Sequence, residues 1–446
     1  MEPHPPADPL SAAYGAQDDW APPGSADEGL HAGPSRAARR EARAGLYVHV
    51  PFCARRCSYC DFSTGALSAH ALERYLRAMA LEIDRRAPPA AALEFTSVFF
   101  GGGTPSALPA RAFRGLWNRV RAAFAVVPGA EITLEANPES VRPALLDAWR
   151  EAGVNRLSLG VQSLHDDELR GLGRLHDAAR PGAAVALARR HGFRRLSLDL
   201  MFGFPGHTEE RWSATLRRAL ELDPEHISAY CLIPEPGTPL GDRVLEGALA
   251  LPSPAAQADM YATLTATLGR AGYACYETSN FARPGAEARH NLVYWLVRPY
   301  LALGPAAHGF VNGDRYGNHY ALSRWATALE RGLSPEAERE TQTPARRATE
   351  VMMLGLRLGR GLDSRDHPGR VWAELLERYG RALEGGVRAR RLVRTRHGFA
   401  IPMRLRFVAD DILAWIEARA RDVQVDRCGG GSLTLSPCPS LHSPVG

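Results

Sequence analysis

Residues 46–62 read LYVHVPFCARRCSYCDF. The first five form an apolar run of strand type, and the proline after them ends it. Directly behind come Cys53, Cys57 and Cys60, spaced Cys-x3-Cys-x2-Cys. Three thiolates on one short loop can hold three irons of a cubane cluster and leave the fourth iron without a protein ligand. Zinc is the rival occupant, because zinc sites also use close cysteine pairs. A structural zinc site needs a fourth ligand, however, and this loop carries no other Cys or His. Three unliganded cysteines packed side by side are the bland alternative. Cys231, Cys275, Cys428 and Cys438 are scattered and are read as non-ligands.

Outward from this stretch, short apolar runs recur at 96–100, 131–135, 155–160, 195–201 and 226–232. Several end in glycine or a polar residue just past the apolar part: GGG, EANP, GVQS, GFP. Between them lie segments such as AHALERYLRAMALEIDRRA, with apolar residues at helical spacing. The alternation predicts parallel βα units with right-handed crossovers. The expected fold is α/β: a partial (βα)6 barrel over residues 45–275, open rather than eightfold and complete. Chemistry belongs at the C-terminal ends of its strands, where the cysteines fall.

The remaining composition narrows the class. A chain of 446 residues allows two or three domains, and 45% hydrophobic with 23% charged residues is globular usage. No stretch approaches the ~20 apolar residues of a membrane helix. The net charge of +5 comes entirely from arginine, since the chain has no lysine; an Ala-, Gly-, Pro- and Arg-rich genome accounts for that. Residues 346–422 nevertheless carry 17 Arg against 10 acidic residues. This basic region could face an acidic partner or a membrane surface. Residues 1–44 show no periodicity and read as a disordered extension. The six acidic residues before Arg36 argue against a transit peptide, and no signal h-region is present. A cytoplasmic location is expected. Residues 426–446, with GGGSLTLSPCPSLHSPVG, read as a disordered tail.

Other motifs sit at the same strand ends. SVFFGGGTPS places Gly101, Gly102 and Gly103 after the second strand, where backbone amides can approach a ligand. GGGTP is neither a Walker A loop nor a dinucleotide fingerprint. ITLEANP sets Glu135 at the end of the third strand, where a carboxylate taken alone could simply be solvated. HNLVYW supplies His290 with Tyr294 and Trp295 about one helical turn later, as a haem site needs an imidazole and aromatic walls. Core packing is the alternative there, and His308 and Cys275 are rival ligands.

The chain resembles the radical S-adenosylmethionine superfamily, and within it the anaerobic coproporphyrinogen III oxidase-like family, haem-chaperone subfamily. The resemblance runs from about Leu46 to about Ile416, over LYVHVPFCARRCSYCDF, FFGGGTPS, TLEANPES, GVNRLSLGVQSL, LGRLH, SLDLMFGFPGHT, SAYCLIPEPGT, YETSNFARPG, HNLVYW and GPAAHGF. It implies a [4Fe-4S] cluster on Cys53, Cys57 and Cys60. It also implies S-adenosylmethionine contacts from Tyr47, Tyr59, Gly102, Gly103, Thr104, Glu135, Gln162, Arg174 and Asp199, with haem near His290. Carboxylates for ribose and ammonium, an arginine for a carboxylate and an aromatic for adenine make a sensible set. Asp199 and Arg174 could equally be structural ion-pair partners. The oxidase branch carries a fourth cysteine two residues after the third; here that position is Phe62. The oxidase's long N-terminal substrate segment has no counterpart in residues 1–44.

The resemblance divides the rest into a connecting region at 276–345 and a winged-helix-like, mostly helical C-terminal domain at 346–425. Two functions follow. One is a haem chaperone that passes haem to an acceptor protein of unknown identity; the other is a radical oxidoreductase acting on a porphyrin. Phe62 and HNLVYW favour the first. Nucleic acid is not expected as a partner. Weak membrane association and a homodimer are kept as partners to test.

Overall fold

The computed structural model describes residues 42–428. The expectations for residues 1–41 and for the tail beyond 428 fall outside the described residues. Ordered strand begins at Arg43, slightly ahead of the expected boundary.

Strand β1 (Arg43–Val50) leads into two-residue strands β2 (Phe52–Cys53) and β3 (Gly65–Ala66), which pair in parallel and close the cysteine loop. Then follow β4 (Glu94–Gly102), β5 (Ala125–Ala136), β6 (Arg156–Gln162), β7 (Leu196–Phe202) and β8 (His226–Cys231). β1 and β4 to β8 lie side by side in chain order, all parallel. Helices α1 (Ala69–Arg86), α2 (Ala110–Ala123), α3 (Pro143–Glu151), α4 (Asp166–Gly171), α5 (Arg180–Arg190) and α6 (Glu209–Glu221) fill the crossovers. The sheet has free edges, so this is the open partial barrel expected from the strand–helix alternation.

Local sequence explains the units. Ser68 caps α1 by accepting a hydrogen bond from the Ala71 amide, and Tyr75, Ala78, Met79 and Ile83 form its buried stripe. In β1, Leu46, Val48 and Val50 are fully buried, while Tyr47 and His49 occupy the opposite face. The period of two repeats in Ser97, Thr133, Glu135, Ser158, Ser197 and Asp199, so one face of the parallel strands carries polar groups. A parallel sheet buried on both faces normally reads as continuous apolar runs. Polar groups on one face therefore point to a lined interior rather than a filled core.

After α7 (Pro239–Leu245) and α8 (Pro254–Arg270), the segment read as a connection is part of the same sheet. Strands β9 (Ala274–Cys275) and β10 (Asn280–Ala282) extend it beyond β8. After helix α9 (Arg289–Trp295), β11 (Tyr300–Leu303) pairs in parallel with the other side of β1. β12 (His308–Val311), β13 (Asp314–Asn318), helix α10 (Leu322–Glu330) and β14 (Glu336–Thr341) complete that side. A buried network on Glu82 of α1 ties the extension down. Its carboxylate accepts from Arg86 (2.8 Å), the Gly304 amide (2.7 Å), Asn318 (2.7 Å) and the Trp325 indole (3.1 Å).

Helices α11 (Pro344–Gly355), α12 (Gly369–Arg388) and α13 (Ala409–Cys428) form the C-terminal part. Three short strands accompany them, β15 (Leu362–Asp363), β16 (Val393–Thr395) and β17 (Gly398–Ala400), in the order β15-β17-β16. The helical, hairpin-bearing character expected there is present. Its core is not its own, however. Val351, Leu375, Leu383 and Ile416 share one apolar cluster with Val293, Tyr294, Tyr300 and Phe310 from the sheet side.

Candidate functional site

The cysteine loop is fixed at both ends and in the middle. Gly103 donates its amide to Val50 (2.9 Å), and a Cβ there would meet the Phe52 amide and carbonyl within 2.9 Å. The Ser58 amide bonds the Leu172 carbonyl (3.2 Å), and the Leu240 amide bonds the Ser58 carbonyl (2.8 Å), so the loop leans on the end of α4 and the start of α7. The Cys53 thiol lies 3.2 Å from the Thr104 hydroxyl. The Cys57 sulfur accepts from Arg174 (3.4 Å), and the Cys60 amide reaches the Cys57 carbonyl (3.4 Å). Burial raises the Cys53 pKa against the Thr104 hydrogen bond, and pushes Cys60 up to about 11. Such thiols stay protonated until a metal displaces the proton. Among the described residues no three His, Cys, Asp or Glu side chains converge on one point, as a mononuclear ion requires. Thiolates that each take a different iron of a cubane need no such convergence. The donor set therefore fits a cluster better than zinc.

Beside the loop, the polar face of the barrel supplies the other expected residues. The Gly102 amide donates to Glu135 (3.2 Å), and Gly102 sits at φ +105°, its missing Cβ filled by the His49 ring. Burial first, then Asp199, raises the Glu135 pKa well above its usual range. Asp199 is also raised by burial, while Ser158 donates to it at 2.9 Å. Two buried carboxylates that repel one another would be relieved by a ligand cation or by hydroxyl donors. Tyr47 lies 3.1 Å from His49 Nδ1, and its phenol is raised by burial and then by Glu135.

The Arg174 guanidinium donates to the Gly160 carbonyl (2.6 Å), the Asn137 side chain (2.7 Å) and the Cys57 sulfur, while its Nε is buried with no partner among the described residues. Gln162 sits beside it at φ +65°, a left-handed conformation costly for glutamine and typical of ligand clamps. Tyr59 packs against a small apolar cluster that includes Leu172, Met201 and Phe204. Tyr47, Gly102, Gly103, Thr104, Glu135, Gln162 and Asp199 thus lie on or just past the parallel strands, and Arg174 lies in the loop after α4. The orphaned Arg174 Nε and the carboxylate pair fit an amino-acid-bearing nucleoside. Reading the sequence missed Asn137 and Ser158; the first lay inside the quoted EANP motif, the second in the period-two alternation of β6. An apolar groove of about 470 Å3 between α1 and α2, lined by Leu72, Leu76 and Leu116, contains none of these residues.

His290 stands inside the core in this structure. It is fully buried, Nδ1 lies 2.9 Å from the Ser97 hydroxyl, and Nε2 lies 2.8 Å from the Tyr294 hydroxyl. Its ring stacks on Phe99 at 5.2 Å, and its amide donates to Glu131. Burial lowers its pKa to about 3, so the ring is a neutral, fully bonded core histidine. HNLVYW is the helix that packs against β1 and β4, and both nitrogens of the ring are hydrogen-bonded within that packing. Cys275 is buried too, its thiol donating to the Glu277 carbonyl.

Comparison with known proteins bears on the family and the fold. Residues 47–219 match the radical SAM superfamily model. The heme chaperone HemW of Mycobacterium tuberculosis is 39% identical over 321 residues, 71% of this chain and 82% of its own. HemW of Bacillus subtilis is 34% identical over 340 residues, 76% and 88% of the two chains. The chain belongs to the HemW family. Its fold also matches the coproporphyrinogen III oxidase HemN of Escherichia coli, a radical SAM enzyme, with a TM-score of 0.75 and 25% identity over 86% of this chain and 92% of that one. HemW membership brings the [4Fe-4S] cluster and S-adenosylmethionine of the radical SAM superfamily with it. Phe62, 37% exposed, stands two residues past Cys60 on this HemW-family loop.

Proposed function

We propose that this protein is a haem chaperone, which binds haem and passes it to an acceptor protein, carrying a [4Fe-4S] cluster on Cys53, Cys57 and Cys60 and S-adenosylmethionine beside it. The observation that carries the reading is a HemW-family chain with three thiols, not four, on the loop after β1, with an exposed phenylalanine in the oxidase's fourth position. A cluster with one open iron supplies, when bound, a coordination site for an amino acid and a source of one electron. The protein's part is to bind and orient. Arg174 offers a cation to a ligand carboxylate, Glu135 and Asp199 offer acceptors to ammonium and ribose hydroxyls, and Gly102 and Gly103 keep the backbone open to approach. Tyr47 and Tyr59 offer aromatic surface.

Anaerobic reconstitution followed by haem titration tests the reading, with one haem per chain and transfer to an apo-acceptor as the expected result. Incubation with coproporphyrinogen III, reductant and S-adenosylmethionine separates it from an oxidase, since stoichiometric protoporphyrinogen would replace the chaperone reading. This reading places the protein in the cytoplasm. Among the described residues no helix is long and apolar enough to cross a membrane. Membrane contact through the arginine-rich C-terminal part, and self-association, are checked by sedimentation with and without anionic vesicles.

A further inference from the structure

The register of the parallel strands lines up Glu135, Ser158, Ser197 and His226 as successive partners across β5, β6, β7 and β8. Asp199 stands two residues beyond Ser197 on β7, and therefore on the same face. Ser197 and His226 are fully buried there. Ser158 donates to Asp199 Oδ1 at 2.9 Å, and the Ser197 hydroxyl lies 3.4 Å from the same oxygen. The Ser197 hydroxyl also lies 2.7 Å from His226 Nδ1, and His226 Nε2 lies 2.8 Å from the Tyr276 hydroxyl. The Tyr276 oxygen in turn accepts from the Ala288 amide, at 3.4 Å, just ahead of α9.

The carboxylate at one end fixes every proton in this chain. An ionised carboxylate only accepts, so Ser158 and Ser197 both donate to Asp199. Ser197 has one proton to give, so the proton between it and the imidazole comes from His226 Nδ1. Burial, and then Arg156, keep the ring neutral, so Nε2 is bare and accepts from the Tyr276 hydroxyl. The opposite tautomer would turn the Ser197 proton away from Asp199 and leave the Tyr276 proton with no acceptor among these groups. Burial raises the Asp199 pKa, while the serine hydroxyls and Arg156 oppose that rise. Hydrogen bonds donated to an ionised acid favour that form, so the chain works to keep Asp199 a fixed, charged acceptor.

We propose that Ser158, Ser197 and His226 are positioning residues for S-adenosylmethionine, which act through Asp199 to present a charged acceptor to the ribose hydroxyls, with Tyr276 setting the His226 tautomer. The proposal rests on the S-adenosylmethionine reading of the site. The test uses the full-length, cluster-reconstituted protein and measures S-adenosylmethionine affinity from mildly acid to mildly alkaline pH. Binding is read from the change the ligand makes in the electron paramagnetic resonance spectrum of the reduced cluster. Ser158→Ala and Ser197→Ala are each expected to weaken binding roughly tenfold at neutral pH. Each should also move the acid fall-off of affinity to higher pH, because a buried carboxyl that loses a donor titrates higher. Glu135 on β5, Arg156 on β6 and Tyr230 on β8 also act on or respond to Asp199 and are the same in every variant, so the shift reports the lost hydroxyl. His226→Leu is expected to behave as Ser197→Ala does, and His226→Asn, which keeps a donor near the place of Nδ1, to stay close to wild type. Cluster iron and circular dichroism equal to wild type establish that a variant folds. The two alanine variants delete one oxygen each and carry the test if a His226 variant does not fold. Weakening by the same factor at every pH would mark a merely structural defect and overturn the positioning role, as would wild-type affinity and pH profile in both alanine variants. Either result leaves S-adenosylmethionine in its site, whereas failure of the wild-type protein to bind it would overturn that reading itself.

Discussion

At the scale of single residues, His290 shows how one side chain can carry two meanings. A histidine one helical turn from a tyrosine and a tryptophan suits a haem wall, and suits a core equally well. Here Ser97 and Tyr294 satisfy both nitrogens, and the ring is held neutral by burial. The consequence is a pH dependence with a definite sign. Between about pH 6.5 and about 3 the unfolded chain binds a proton at this site and the folded chain does not, so acidification favours unfolding. His290→Gln removes the proton site while keeping a donor and an acceptor. The stability advantage of wild type over this variant should shrink by up to about 1.4 kcal/mol per pH unit below pH 6.5. Denaturant titrations from pH 7 to 4 measure this, and parallel curves for the two proteins would show that the ring titrates freely.

At the scale of elements, the cysteine loop depends on a glycine that has no cysteine of its own. Gly103 is packed against the backbone of Val50 and Phe52, which cannot move aside as a flexible side chain could. Gly103→Ala is expected to cost about 1–3 kcal/mol, as overpacking does, and to lower cluster iron after reconstitution. Replacement of Cys53, Cys57 or Cys60 by serine should instead abolish the broad visible absorption of the cluster at little cost in stability. Iron analysis beside thermal melts separates the two outcomes. A triple serine variant that keeps full cluster iron would defeat the ligand assignment.

At the scale of the whole molecule, a single buried carboxylate joins the barrel to its sheet extension. Glu82 accepts from α1, from the turn after β11, from β13 and from α10. Glu82→Ala leaves Arg86, 8% exposed, without its nearer partner, and breaking a buried pair in this way costs about 3–5 kcal/mol. Chemical denaturation of the intact protein measures that loss. The C-terminal helices are bound in similarly, because their apolar cluster includes Val293, Tyr294, Tyr300 and Phe310. A chain ending at residue 343 should therefore aggregate or melt well below the full protein, whereas one beginning at Glu41 should fold and take up cluster. A soluble, cooperatively melting product from the C-terminal truncation would show that the helical part is an independent domain.

Arg174 and Asp199 came only from the family resemblance, whereas the six parallel βα units, the three thiols behind the first strand, and Gly102 and Glu135 at later strand ends were legible from the amino-acid sequence alone. Each is a local pattern: strand runs of five to seven residues, helical periodicity, and chemistry at the end of a strand. Only the tertiary structure decided what depends on contacts between distant residues. It drew residues 276–345 into the sheet, because β11 pairs with β1 some 250 positions away. It turned His290 inward, because Ser97 lies 193 residues upstream to receive it. A strand's register and a histidine's hydrogen-bond partners are properties of the folded chain, and no spacing within one segment specifies them.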